Sequence, residues 1–143
     1  MGRRDEALTI LREAEHADRP EMMRVFLGSL RLLLEGHHDA SRQAAERCIA
    51  HFRDPELWFY MVRQLAFVGA SERALTELER VIDSGYLCGR VLDRDPWLQW
   101  LAMDPRFARL RARSVELERR IAARFVEAGG EQLAGAKIVV SPR

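Results

Sequence analysis

The chain has 143 residues, enough for one domain that buries its own core without metal or disulfide support. Hydrophobic residues at 48 % and charged residues at 31 % suit a soluble helical protein, and a formal net charge of +1 offers no bulk attraction to nucleic acid or an anionic membrane. No apolar run approaches the ~18 residues of a membrane span, and no N-terminal stretch has the build of a signal peptide.

Helical periodicity runs through most of the chain. From Arg3 to Ala17 the apolar residues Ala7, Leu8, Leu11, Ala14 and Ala17 fall in steps of three and four, one face of a helix. Pro20 interrupts it. Glu21 to Glu35 is predicted as a second helix, nearly all apolar at Val25-Phe26-Leu27 and Leu32-Leu33-Leu34. A turn at Gly36-His37-His38-Asp39 leads into a third helix, Ala40 to Phe52. Asp54-Pro55-Glu56 reads as a helix start, with an N-capping aspartate, a proline at the first helical position and an acid at the positive helix end. That fourth helix is predicted to reach Val68, turn at Gly69-Ala70-Ser71 and return from Glu72 to Ser84. The same start signal recurs at Asp95-Pro96 and Asp104-Pro105. It predicts a short helix over Trp97 to Ala102 and a long one from Pro105 to Ala128, stopped by Gly129-Gly130. Lys137-Ile138-Val139-Val140 is left as extended chain or tail.

Gly2, Gly36 and Gly69 recur at intervals of 34 and 33 residues, each opening a polar turn before an alanine- and leucine-bearing helix. A period of this size signals stacked helix pairs, which usually offer a surface to a partner. These residues resemble the tetratricopeptide repeat, whose signature runs W-x2-L-G-x2-Y, then A-x3-F, then P. Trp58, Met61 and Leu65 stand in the first three hydrophobic places of one unit, with Ala74 and Leu78 in its second helix. Val25, Gly28 and Leu32, then Ser41 and Ala45, form the preceding unit, and Ala7 and Leu11 match a lone second helix before it. The signature glycine is replaced by Val62 and Ser29. The prolines are displaced to Pro20 and Pro55, and Tyr86 stands at the last such place.

The resemblance implies an all-α, right-handed α-solenoid with a half repeat at 2–19, repeats at 22–54 and 55–86, and a short helix plus a long capping helix at 87–128. A tail at 129–143 follows. Because Gly2 falls at a mid-unit turn, the chain is expected to be the C-terminal part of a longer protein, or to have its open end covered by a neighbouring molecule. The stretch from Tyr86 to Phe107 is also similar to the tails of repeat arrays in bacterial signalling proteins, where such arrays often follow a kinase, a nucleotide cyclase or a DNA-binding domain.

Tetratricopeptide arrays usually bind along a concave surface lined by the first helix of each pair. The matching positions are Met23, Phe26, Leu30 and Leu33, then Glu56, Phe59, Arg63 and Phe67. Phe26, Leu30, Phe59, Arg63 and Phe67 are the expected partner-binding residues, the apolar ones as buried anchors and Arg63 to orient a carboxylate or carbonyl. Phe26, Leu30 and Tyr60 occupy places where the family's two-carboxylate clamp has polar or basic residues, which argues against an acidic chain end as ligand. The same apolar face could instead be filled by the chain's own C-terminal helix.

Along the long last helix, Phe107, Leu110, Ser114, Leu117 and Ile121 fit a heptad, so this helix reads either as a cap or as a dimer seam. Its arginines, Arg106, Arg109, Arg113, Arg120 and Arg124, are interleaved with acids and carry no nucleic-acid motif. Trp97 and Trp100 are expected to plug the end of the array. Cys48 and Cys88 lack metal or redox spacing and read as small buried residues in a reducing compartment, placing the protein in the cytoplasm. His37 and His38 are adjacent and cannot easily aim at one ion, and no second ligand pair has zinc spacing. No phosphate-cradling loop, nucleophile with its base or isolated carboxylate pair stands out. The expectation is therefore a non-catalytic interaction module, with no metal or cofactor, that binds a protein or peptide. The alternatives are a regulatory C-terminal segment of a signalling enzyme or transcription regulator, and a self-assembly element.

Overall fold

The computed structural model describes residues 2–134, and among them every regular element is helical. Helices α1 (Arg3–His16), α2 (Glu21–Glu35), α3 (His38–His51), α4 (Pro55–Phe67) and α5 (Ser71–Asp83) follow one another through connections of two to four residues. Connections this short leave each helix no course except back along its predecessor. Each of α2 to α5 packs against the helix before it.

The start and stop signals act as their chemistry requires. Asp54 Oδ1 accepts the backbone N–H groups of Glu56 at 2.8 Å and Leu57 at 3.2 Å, so α4 begins at Pro55. Asp104 does the same for Arg106 at 2.8 Å, at the head of the long helix α7 (Pro105–Glu127). Gly36 and Gly69 have φ of 85° and 82°, the left-handed region. The chain closes α2 and α4 there with the same bonds: Gly36 N–H to Leu33 O and His37 N–H to Leu32 O, then Gly69 N–H to Ala66 O and Ala70 N–H to Leu65 O. Gly2 differs, with φ of −80° at the N-cap of α1. The third glycine of the period therefore shares the spacing of the other two and lacks their conformation.

Burial deepens toward the middle of the array. Ser41, Ala45, Ala74 and Leu78, the repeat-matching small and apolar places of α3 and α5, are all fully buried. Ala7 and Leu11, their counterparts on α1, are only half-buried, and no α1 residue is fully buried. Polar bonds hold that helix instead. Arg4 donates to the Leu34 carbonyl, Arg12 pairs with Glu35 at 2.8 Å, and Arg31 reaches Glu15 at 3.0 Å.

One buried polar cluster joins α2, α3 and α4. Gln64 Nε2 donates to the Ser29 carbonyl at 3.0 Å and to Ser41 Oγ at 2.7 Å. The Ser29 hydroxyl lies 2.7 Å from the Phe26 carbonyl and 3.1 Å from Gln64 Oε1. All three side chains are fully buried. With both amide protons committed to oxygen acceptors, the amide has one satisfactory orientation, and the three helices have one register in which it fits.

The C-terminal third departs from expectation in three places. No helix spans Trp97 to Ala102; turns lead to a single 3-10 turn at Gln99–Leu101, and a four-residue helix α6 (Gly89–Leu92) precedes them. Leu98 and Leu101 enter the core there, whereas Trp100 is 64 % exposed, so the leucines rather than both tryptophans plug the array. Gly129, with φ of 74°, does end α7, yet the chain turns back into α8 (Gly130–Ala134). Gly130 meets the Phe125 ring so closely that a methyl group there would overlap it. The expected tail at Lys137 to Val140 lies outside the described residues.

Candidate interaction face

The face built by α2 and α4 carries most of the residues that the sequence nominates, in unequal states. Phe26 and Leu30 on α2 are half-buried, and Phe67 on α4 is 40 % exposed. Phe59 is different. It is only 3 % exposed, packed at 5.5 Å between ring centroids against Tyr86, and belongs to the core. It therefore has no surface to give a partner. Leu33, expected on the same face, is buried too.

Arg63 sits on this face already engaged. Its guanidinium is ion-paired with Asp95, whose side chain is 3 % exposed. It lies 5.6 Å from the Tyr60 ring centroid and 5.1 Å from that of Trp97. Asp95 also accepts the backbone N–H of Trp97 at 2.9 Å, which fixes the turn that presents the indole. The role expected for Arg63, orienting a partner's carboxylate, is thus filled from within the chain. What Arg63 does instead is bind the 95–97 turn to α4.

The result is a continuous aromatic row. Phe52 meets Phe26 edge-on at 6.1 Å, and Phe26 meets Tyr60 at 6.3 Å. Arg63 bridges Tyr60 to Trp97. Trp97 lies tilted against Phe67 at 5.1 Å, and His38 from α3 closes the row at 6.3 Å from Phe67. These separations are in the range of favourable aromatic pairs. Glu56 accepts the Tyr60 hydroxyl at 3.2 Å, and this bond, with the carboxylate's charge, pushes the phenol's pKa up and keeps it a neutral donor.

Tyr60, Trp97 and His38 were not nominated by sequence. Tyr60 could have been, since it lies one helical turn before Arg63 on the same face. His38 could not, because it reaches the row from another helix, and Trp97, expected to plug the end of the array, reaches it from a turn.

The opposite side of α4 is closed. Trp58, in the signature tryptophan place, lies under Arg80, 4.2 Å from guanidinium carbon to ring centroid. The fully buried Glu77 holds Arg73 and Arg80 at 2.9 Å each. Cys48 and Cys88 are buried free thiols; burial pushes Cys48 up to about 11 and raises Cys88 as well, so neither is a ready nucleophile. On α7 the proposed seam divides. Phe107, Leu110 and Ser114 are buried and α7 packs on α5 and α6, while Leu117 is half-buried and Ile121 is 40 % exposed. The first half of the heptad is consumed inside the chain.

No described helix is long and apolar enough to cross a membrane. Comparison with protein-family models, with curated proteins and with solved structures finds no match.

Proposed function

We propose that the chain is a tetratricopeptide-like, right-handed stack of helix pairs, α2 with α3 and α4 with α5, that binds a protein segment without chemistry. The binding face is that of α2 and α4. Phe26, Leu30 and Phe67 act as apolar anchors, joined by Tyr60 and Trp97, while Phe59 supports the face from beneath. Arg63 acts by keeping Trp97 in place.

The observation that carries this reading is the aromatic row itself. Six rings, joined at one point through Arg63 and including a Phe67 that is 40 % exposed, form an apolar surface of the kind enriched in binding hot spots. Helix pairing across the left-handed glycines Gly36 and Gly69 supports the repeat reading, as does complete burial of Ser41 and Ala74 at the close-approach positions.

The test is selection of peptides from a random display library against the full chain, followed by direct binding to variants. Phe67→Asp, at an exposed position, should keep the helical circular dichroism and lose the selected peptides. Val115→Asp, an exposed change on α7, should keep them. Peptides that bind Phe67→Asp unchanged, or a library that yields none, would remove this face as the binding site.

A further inference from the structure

We propose that the C-terminal half of α7 is a second docking surface, made for an acidic amphipathic segment of a protein partner. Of the large apolar residues exposed on the molecule, Val115, Ile121, Phe125, Val126 and Leu133 all lie on α7 or on α8 beside it. Leu117, Ile121 and Phe125 follow at steps of four and so form one apolar stripe along the helix. They continue the line of Phe107, Leu110 and Ser114, which the body of the protein covers. Beyond Leu117 that cover ends, except where Gly130 of α8 lies against the Phe125 ring.

Charge selects the occupant. Arg120 and Arg124 flank the stripe on one side, one turn apart, and neither makes an ion pair or hydrogen bond among the described residues. Other arginines of α7 are satisfied: Arg106 by Glu72 and Asp104, Arg111 by Asp93, Arg113 by Asp83, Arg119 by Glu116. Glu118, on the other flank, points inward and accepts the Gly89 N–H at 2.7 Å. Glu116, one turn before Arg120 on the same flank, feels its charge but is hydrogen-bonded by Arg119 at 2.8 Å, so two guanidinium groups without a direct partner beside an apolar stripe favour apolar residues at helical spacing with carboxylates along one edge.

A second copy of the chain fits poorly. Antiparallel two-fold pairing across Ile121 brings the same flank of both helices together, setting Arg120 against its own copy and Arg124 near a Glu116 that Arg119 already holds at 2.8 Å. Parallel pairing offers them Glu118, which is already engaged. The side chains of 135–143 include Lys137 and Arg143 and no acid, so they supply no counter-charge either.

The experiment uses the full chain and three synthetic helical peptides that share one leucine stripe and differ only along its edge, carrying Glu, Gln or Lys. Fluorescence anisotropy should show the Glu peptide binding at least about tenfold more tightly than the Gln peptide, the effect of two modest ion pairs beside an apolar contact. Added salt should narrow that gap. Arg120→Glu/Arg124→Glu, both at exposed positions, should reverse the preference toward the Lys peptide, and Phe67→Asp should leave it unchanged. Equal binding of Glu and Gln peptides, or no reversal in the double variant, would overturn the proposal. A dimer dispersed by Ile121→Asp would assign the stripe to self-association instead. Capture by phosphatidylserine vesicles, lost in Arg120→Glu/Arg124→Glu while no peptide binds, would assign it to a membrane surface.

Discussion

Gln64→Leu tests whether the buried polar cluster sets how α2, α3 and α4 meet. The amide spans all three helices, donating to Ser29 O at 3.0 Å and Ser41 Oγ at 2.7 Å. Leucine is close in volume, so little cavity forms and the effect is chiefly that of lost hydrogen bonds. The Ser29 hydroxyl keeps the Phe26 carbonyl at 2.7 Å, but Ser41 Oγ loses its amide donor in a site with no exposure. A buried hydroxyl left in that state costs about 1–3 kcal/mol, and the added methyl groups recover a fraction of it. We expect Gln64→Leu to lower stability by about 2 kcal/mol, read by urea unfolding with far-ultraviolet circular dichroism, and to lower Tm by about 6 °C. The companion variant Ser29→Ala/Ser41→Ala/Gln64→Leu removes every side-chain partner together. Replacing both sides of a buried hydrogen bond by apolar groups of similar shape is close to neutral, so this triple variant should return to within about 1 kcal/mol of the wild type. A single variant as stable as the wild type would refute the reasoning. So would a triple variant no more stable than the single one, since the loss would then lie in packing.

Two further outcomes follow from groups on or near the same helices. Arg63→Met leaves the Asp95 carboxylate with the Trp97 N–H and without its cation, at 3 % exposure, and should cost about 2 kcal/mol and weaken the near-ultraviolet signal of Trp97. Adding Asp95→Asn should restore part of the stability, and no recovery would mean that Arg63 acts through packing alone. Burial holds the Cys48 thiol up at about 11 against an ordinary value of 9.0, so the folded state keeps a proton that the unfolded state releases first. Its contribution is therefore fully present below about pH 9 and is lost as pH rises toward 11. Unfolding measured across that window should show a steeper fall for the wild type than for Cys48→Ala, and parallel curves would deny the shift.

The limits of α2 and the start of α4 were legible because local chemistry decides them: Pro20 and Gly36 bracket one helix, and Asp54-Pro55 opens the other. α6 and α8 were not, since helices of four and five residues carry too little periodicity to stand out between glycines. The two faces of α4 mark a different boundary. Phe59 and Phe67 are eight residues apart, and nothing within the helix distinguishes an anchor for a partner from a core residue. Tyr86 decides the first, by covering Phe59 from the chain beyond α5. Trp97 decides the second, since it lies to one side of Phe67 and leaves the ring 40 % exposed. Arg63 belongs to the same case, because its charge is spent on Asp95, 32 residues away. On the face proposed for binding, a residue can therefore serve as an anchor only where the following segment fails to cover it. On α4 that condition selects Phe67 over Phe59, and at the far end of α7 the same condition leaves Ile121 beside two arginines that make no ion pair among the described residues.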